Sequence, residues 1–236
     1  MKAITDIRRA DTRFRTRTAW LESRHSFSFG RHHDAGNTHH GLLVVSNDDR
    51  VRPAAGFGAH AHQDVEIVTW VLAGQLEHRD SEGNHGVLLP GLVQTMSAGT
   101  GIEHSEMNPS DTDEVHFIQM WIPPDAQRLT PGYEQRDFNE ELAAGGLHPI
   151  ASGQDHRGAM RIHQRNAVLW GGRLHAGEHV AVPDGAFVHV FVACGSTALG
   201  FGDLLSEGDA VRLDQAAGLG LTAGDRGAEV LIWVTE

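Results

Sequence analysis

The chain holds a single cysteine, Cys194, so no disulfide can close within it, and a reducing compartment such as the cytoplasm is expected. That residue ends the apolar run Phe191-Val192-Ala193-Cys194 and reads as a small buried hydrophobe. Positive charge is scarce. The 19 lysines and arginines face 31 aspartates and glutamates, a formal net charge of -12. Such a surface repels phosphate backbones, so direct nucleic-acid binding is not expected, although a protein partner is compatible with it. No apolar run approaches the ~20 residues that cross a bilayer, so no membrane span is expected. The first nine residues, MKAITDIRR, lack the apolar core of a signal peptide. Helical periodicity is weak as well. The one short candidate is Asn139 to Ala144, with an asparagine cap and a Gly145-Gly146 stop.

Short apolar runs bounded by turn residues are abundant, and they predict an all-β chain. Leu42 to Val45 ends at Asn47-Asp48-Asp49, Val65 to Leu72 at Gly74, and Val115 to Ile122 at Pro123-Pro124. The 28 glycines suit the turns of such a fold. The second half repeats the first in outline: Ala186 to Gly195 matches Val65 to Gly74, and Gly208 to Leu213 matches Gly91 to Met96. Two tandem β-barrels follow, with a boundary near residues 138/139, giving domains at 1–138 and 139–236.

Two short motifs carry the chemistry. His60-Ala61-His62 is answered by His104-Ser105-Glu106. On a strand, residues i and i+2 share a face, so each pair can act as a two-toothed clamp. Three imidazoles and one carboxylate form a ligand set for a divalent first-row transition metal and leave coordination positions open. Iron(II) leads, with nickel, copper, cobalt, manganese or zinc as alternatives. In the repeat register the corresponding positions of the second half are Ala181, Pro183, Leu221 and Ala223, which predicts one metal site, in the N-terminal barrel. Glu66, four residues after His62, would share its face on a regular strand and could be a fifth ligand or an acceptor for an imidazole N–H. His25, His78 and His116 are weaker candidates, with His78 expected on a solvated face. His32-His33 and His39-His40 read as loop residues.

These segments resemble a known family. Gly58 to Leu72 with Gly74 resembles the first cupin motif, and Gly99 to Asn108 the second. Glu77 to Asn84, Met96 to Met107, Gln119 to Pro123 and Thr130 to Arg136 are similar to the pirin family, whose bacterial branch the last segment resembles. The resemblance covers about residues 15–137 and is architectural beyond. The chain departs from the general cupin pattern at Ser97, where proline is common. The resemblance implies a bicupin with one metal, held by His60, His62, His104 and Glu106 in the N-terminal barrel. It also implies a quercetin 2,3-dioxygenase-like enzyme, which cleaves a flavonol with dioxygen and releases carbon monoxide. Glu106 would then be the catalytic base, with a small aromatic substrate and dioxygen as partners. Ile67, Met96, Ile102 and Met120 either line its pocket or belong to the barrel core. The alternatives are an iron-dependent redox or stress sensor acting through a protein partner, and a non-oxygenase cupin such as an isomerase.

Overall fold

The computed structural model describes residues 4–236. The first half contributes β1 (Ile4–Arg8), β2 (Phe14–Arg17), β3 (Leu21–His25), β4 (Val45–Val51), β5 (Gly56–His62) and β6 (Glu66–Ala73). It continues with β7 (Leu76–Asp80), β8 (His85–Leu88), β9 (Leu92–Ser97), β10 (Ile102–Met107), β11 (Val115–Ile122) and β12 (Gly132–Asp137). After α1 (Asn139–Ala143) come β13 (His148–Ser152), β14 (Met160–Arg161), β15 (Ala167–Leu174) and β16 (His179–Ala181). The chain closes with β17 (Gly185–Leu199), β18 (Leu204–Ser206), β19 (Ala210–Ala216) and β20 (Gly220–Thr235). The architecture is nearly all-β, as two tandem β-barrels.

In the N-terminal barrel a seven-stranded sheet, β12-β9-β6-β11-β4-β3-β2, is joined by a four-stranded sheet, β5-β10-β7-β8. The C-terminal sheet runs β1-β19-β17-β20-β15-β13-β14, so the chain's first strand lies at an edge of the second half. Its residues Ile4 to Arg8 pair antiparallel with Asp214 to Ala210.

Strand alternation sorts β6 into two faces. Val68 and Trp70 point away from the N-terminal barrel into the largest core cluster, with Met120 and Ile118 of β11 and Leu169, Leu231 and Trp233 of the second half. Trp70 donates its indole N–H to Glu229 across this seam (2.6 Å). Ile67, Thr69 and Val71 face inward. At one end of the barrel Ile67 packs with Met96, Ala98 and Ile102; at the other, Val71 packs with Leu76, Leu88 and Phe117. Between these apolar ends lies a polar belt, in which Thr69 accepts a hydrogen bond from Gln119 (3.4 Å).

Two expected strand ends are corrected. The first strand does not stop at Asn47-Asp48-Asp49; β4 runs through all three residues. Asn47 and Asp49 supply polar partners to the barrel interior, and Asp48 turns outward to Arg13 (2.7 Å) and His116 (2.7 Å), so each polar side chain has a place. Likewise β17 continues past Gly195, which sits at φ +75° in a bulge and keeps the strand paired with β20. Cys194, next to it, is half-buried, and burial with the nearby Glu229 pushes its thiol up to about 11.

Candidate metal centre

His60 and His62 occupy the end of β5, and His104 and Glu106 lie on β10, its antiparallel neighbour. His60 is directly opposite His104 in the ladder. A bulge between His104 and Glu106 then shifts the register, so that Glu106 faces Phe57. The strands approach closely because position 56 is glycine: a Cβ there would collide with the Glu106 carbonyl and the Met107 Cα. Gly99, at φ +48°, turns the chain into β10 against the Leu129 carbonyl, where no side chain fits.

The three imidazoles converge. Their ring centroids are 4.8 Å apart for His60 and His62, 4.4 Å for His60 and His104, and 4.9 Å for His62 and His104. One nitrogen from each lies within 4.8 Å of the other two, the arrangement a single ion requires. The Nδ1–H of His60 has the Gly58 carbonyl as acceptor (2.8 Å), which leaves its Nε2 lone pair free. The Nε2 atoms of His62 and His104 are buried without any hydrogen-bond partner. Orphaned buried nitrogens are unfavourable unless something fills the gap, and a cation does so.

Electrostatics agrees. Burial, then the neighbouring His60, lowers His62 to about 4. Burial, then His60 and His62, lowers His104 to about 3. Both rings are therefore neutral near pH 7, with lone pairs available to a metal.

Glu106 lines the same cavity as His60 and His62. Its carboxylate forms a group with His104 and His78 that overlaps the three-histidine group at His104. It is buried at 2% exposure, and both oxygens accept from the Gln119 amide (2.8 Å each). Trp121 donates its indole N–H to the Gln119 oxygen (3.0 Å), which fixes the amide's orientation. Burial raises the Glu106 pKa, and the Gln119 bond partly offsets that rise.

His60, His62 and Glu106 line one cavity of about 350 Å³. Its walls are Leu21, Phe29, Phe57 and Trp121, with Ser23, His25, Asn47 and Asp49 on the polar side. Asp49 is a buried carboxyl, raised to about 7 chiefly by burial. A larger depression of about 740 Å³ lies against the second half between Ile7, Phe201 and Leu219, and among the described residues no metal-ligating cluster lies in it. Ile67, Met96, Ile102 and Met120 are core residues rather than cavity lining: Met120 packs in the seam between halves and the other three at the barrel end.

Glu66 faces away from the imidazoles. One oxygen accepts from Ser97 Oγ (2.6 Å) and the other from the His163 backbone N–H (3.0 Å). The parity argument from His62 fails because Asp64, at φ +50°, breaks the strand between them. His25 bonds Asn47 (2.8 Å) at the cavity wall, and His116 bonds Asp48 (2.7 Å) away from it. His33 and His39 are exposed loop residues, and His32 packs half-buried on Phe14. His78 departs furthest from expectation. Instead of facing solvent it is fully buried beside His104, with Nδ1 atoms 3.3 Å apart. Gln119 and Trp121 join the site from the segment Gln119 to Pro123, and Asp49 and Phe57 complete it without any motif of their own.

Comparison with known proteins now places this geometry. The family model for pirin matches residues 7–122, and that for the quercetinase C-terminal cupin domain matches residues 149–233. A Mycobacterium tuberculosis protein named "Putative quercetin 2,3-dioxygenase" is 55% identical over 99% of this chain and 96% of its own length. The chain belongs to the pirin family. Quercetin 2,3-dioxygenase of Escherichia coli is 43% identical to this pirin over 67% of each chain. The crystal structure of the bacterial pirin YhhW from Escherichia coli in complex with nickel(II) matches with a TM-score of 0.89 and 34% identity, over 98% of this chain and 99% of that one. Metal binding in this pirin is thus supported both by its own cluster of histidines and by a nickel-bound structural relative. Among the described residues no helix is long and apolar enough to cross a membrane.

Proposed function

We propose that this pirin is a cytoplasmic, metal-dependent dioxygenase that cleaves flavonols such as quercetin, with iron(II) as the working ion and His60, His62, His104 and Glu106 as its ligands. The observation that carries the reading is three converging imidazoles with bare Nε2 atoms, two of which, His60 and His62, line a cavity walled by Phe29, Phe57 and Trp121. The residues fit a divalent ion by donor type and convergence. When bound, such an ion supplies Lewis acidity that lowers the pKa of a coordinated hydroxyl.

The chain's own groups do the rest. The aromatic walls bury a flat ring system and exclude water. Glu106, its pKa raised by burial, accepts the proton of the substrate's 3-hydroxyl. The Gln119 amide holds that carboxylate in place until the proton arrives, and then remains to orient the acid. The electron-rich enolate so formed is the species that dioxygen attacks; ring opening inserts both oxygen atoms and expels one carbon as carbon monoxide. A chain division near 138/139 belongs to the same reading, with the metal in residues 1–138 and none in 139–236.

The test is incubation of the iron-, nickel- or cobalt-loaded protein with quercetin in air, with carbon monoxide and ring-opened ester measured. His62→Ala should abolish both products, and Glu106→Gln should reduce turnover by about 100-fold or more. Absence of carbon monoxide with every metal would overturn the flavonol reading.

A further inference from the structure

We propose that His78 and Asp80 form a buried relay that fixes the tautomer and donor strength of His104, so that a carboxylate two links away controls the metal centre. The inference rests on the metal reading of the three histidines and goes beyond it to residues outside the ligand motifs.

Three observations select one proton arrangement. Asp80 Oδ2 lies 3.1 Å from His78 Nε2, and both side chains have 0% exposure. Asp80 is itself pinned as a carboxylate: it accepts from the Glu82 backbone N–H (3.0 Å), the Asn84 backbone N–H (2.9 Å) and the Asn84 amide (2.9 Å). Only a protonated His78 Nε2 can donate to it, so the neutral ring leaves Nδ1 as an acceptor. Two nitrogens face that atom, the Gln94 amide at 3.4 Å and His104 Nδ1 at 3.3 Å, and two bare lone pairs cannot face each other at that distance. His104 must therefore carry its proton on Nδ1, which leaves Nε2 bare, and Nε2 is the atom buried without a partner beside His60 and His62. The relay runs from Asp80 through His78 to the one face of His104 that can hold an ion.

The surroundings keep the relay rigid. Tyr133 covers the His78 ring, with centroids 4.8 Å apart and planes inclined at 30°. The pairing of β10 with β7 sets His104 against Asp80 and Glu106 against His78, so the relay is built into the ladder itself. A carboxylate acting through an imidazole raises the electron density on the metal-facing nitrogen, and such supporting groups typically govern metal affinity by 10–100-fold.

Titration of metal-free protein with nickel(II) tests the relay, with the visible absorption of the cobalt(II) form as a second readout. His78→Leu should weaken nickel binding about 10–100-fold and shift the cobalt bands. Asp80→Asn should act in the same direction but less, since it removes only the charge. His78→Asn places an amide oxygen near the lost Nδ1 but cuts the link to Asp80, so its affinity should fall between those of His78→Leu and the wild type. If His78→Leu does not fold, the other two variants decide the matter. Wild-type affinity and unchanged cobalt bands in His78→Leu and Asp80→Asn would overturn the relay, as would His78→Asn failing as badly as His78→Leu, which marks packing alone. Two nickel ions per wild-type chain, one of them lost with His78, would make His78 a ligand and overturn it too. Wild-type protein that takes up no metal would instead overturn the metal reading beneath it.

Discussion

The same pair of strands is used twice, with opposite contents. In the N-terminal barrel β5 and β10 set His60 opposite His104; in the C-terminal barrel β16 and β20 set Val180 opposite Leu221. The first interior holds a polar belt of Thr69, Gln119, Asn47, Asp49 and Glu106 between apolar ends. The second is packed with Val188, Val190, Val192, Val211, Leu213, Val230 and Ile232. Each buried aliphatic side chain contributes about 1.5–3 kcal/mol by leaving water, whereas a buried imidazole or carboxylate contributes only when paired. The two barrels thus divide the labour: one holds the molecule together, and the other gives up stability to keep lone pairs aimed at a common point.

The largest effect should come from breaking the polar half. His104→Ala should take bound metal from one equivalent per chain to none by elemental analysis, whereas Leu221→Ala should leave metal content intact. That second substitution should instead lower stability by about 2–5 kcal/mol in urea unfolding, because Leu221 is fully buried and leaves a cavity. A metal loss in Leu221→Ala matching that of His104→Ala would erase the contrast.

Protonation sharpens it further. In metal-free protein the folded His104 titrates near 3 against an ordinary 6.5, so the unfolded chain takes the proton first. Its contribution is complete above pH 6.5 and is lost as pH falls toward 3. The stability difference between wild type and His104→Leu should therefore shift by about 3 kcal/mol in favour of the variant between pH 7 and 4. Thermal melts at the two pH values measure it. Asp49 has the opposite sign, because its folded pKa near 7 lies above the ordinary 3.8. Its contribution is present below pH 3.8 and is lost as pH rises through 7. Asp49→Asn should gain about 4 kcal/mol on wild type between pH 4 and 8. No such pH-dependent gain should follow from substitutions at Val190 or Ile232.

The fold class and the histidine pairs were legible because both depend on period-two spacing, which a sequence displays directly. Turn glycines bounded the runs, and the i,i+2 histidines had to share a face. What depends on register between strands was not legible. His78 meets His104 only through the pairing of β7 with β10, and nothing in Glu77-His78-Arg79-Asp80 announces a buried ring. Gln119 sits in an apolar run, where its amide looks incidental until Glu106 is placed against it. Glu66 misled because spacing counts residues, and Asp64 reverses the local backbone without changing the count. The polar strand β4 was read as a turn because Asn-Asp-Asp is turn chemistry, and only a polar barrel interior gives it another use.

The first strand of the chain lies at the edge of the last sheet, and Arg9 is bonded to Asp209, 200 residues on (2.7 Å). During synthesis at about 5–20 residues per second, β1 must wait on the order of 10–40 seconds before its partner β19 leaves the ribosome. For that interval β1 has no sheet to join, while the strands of the N-terminal barrel already have their own partners. Docking of β1 therefore comes only after the second half has emerged, and it ties residues on either side of the first barrel into one sheet.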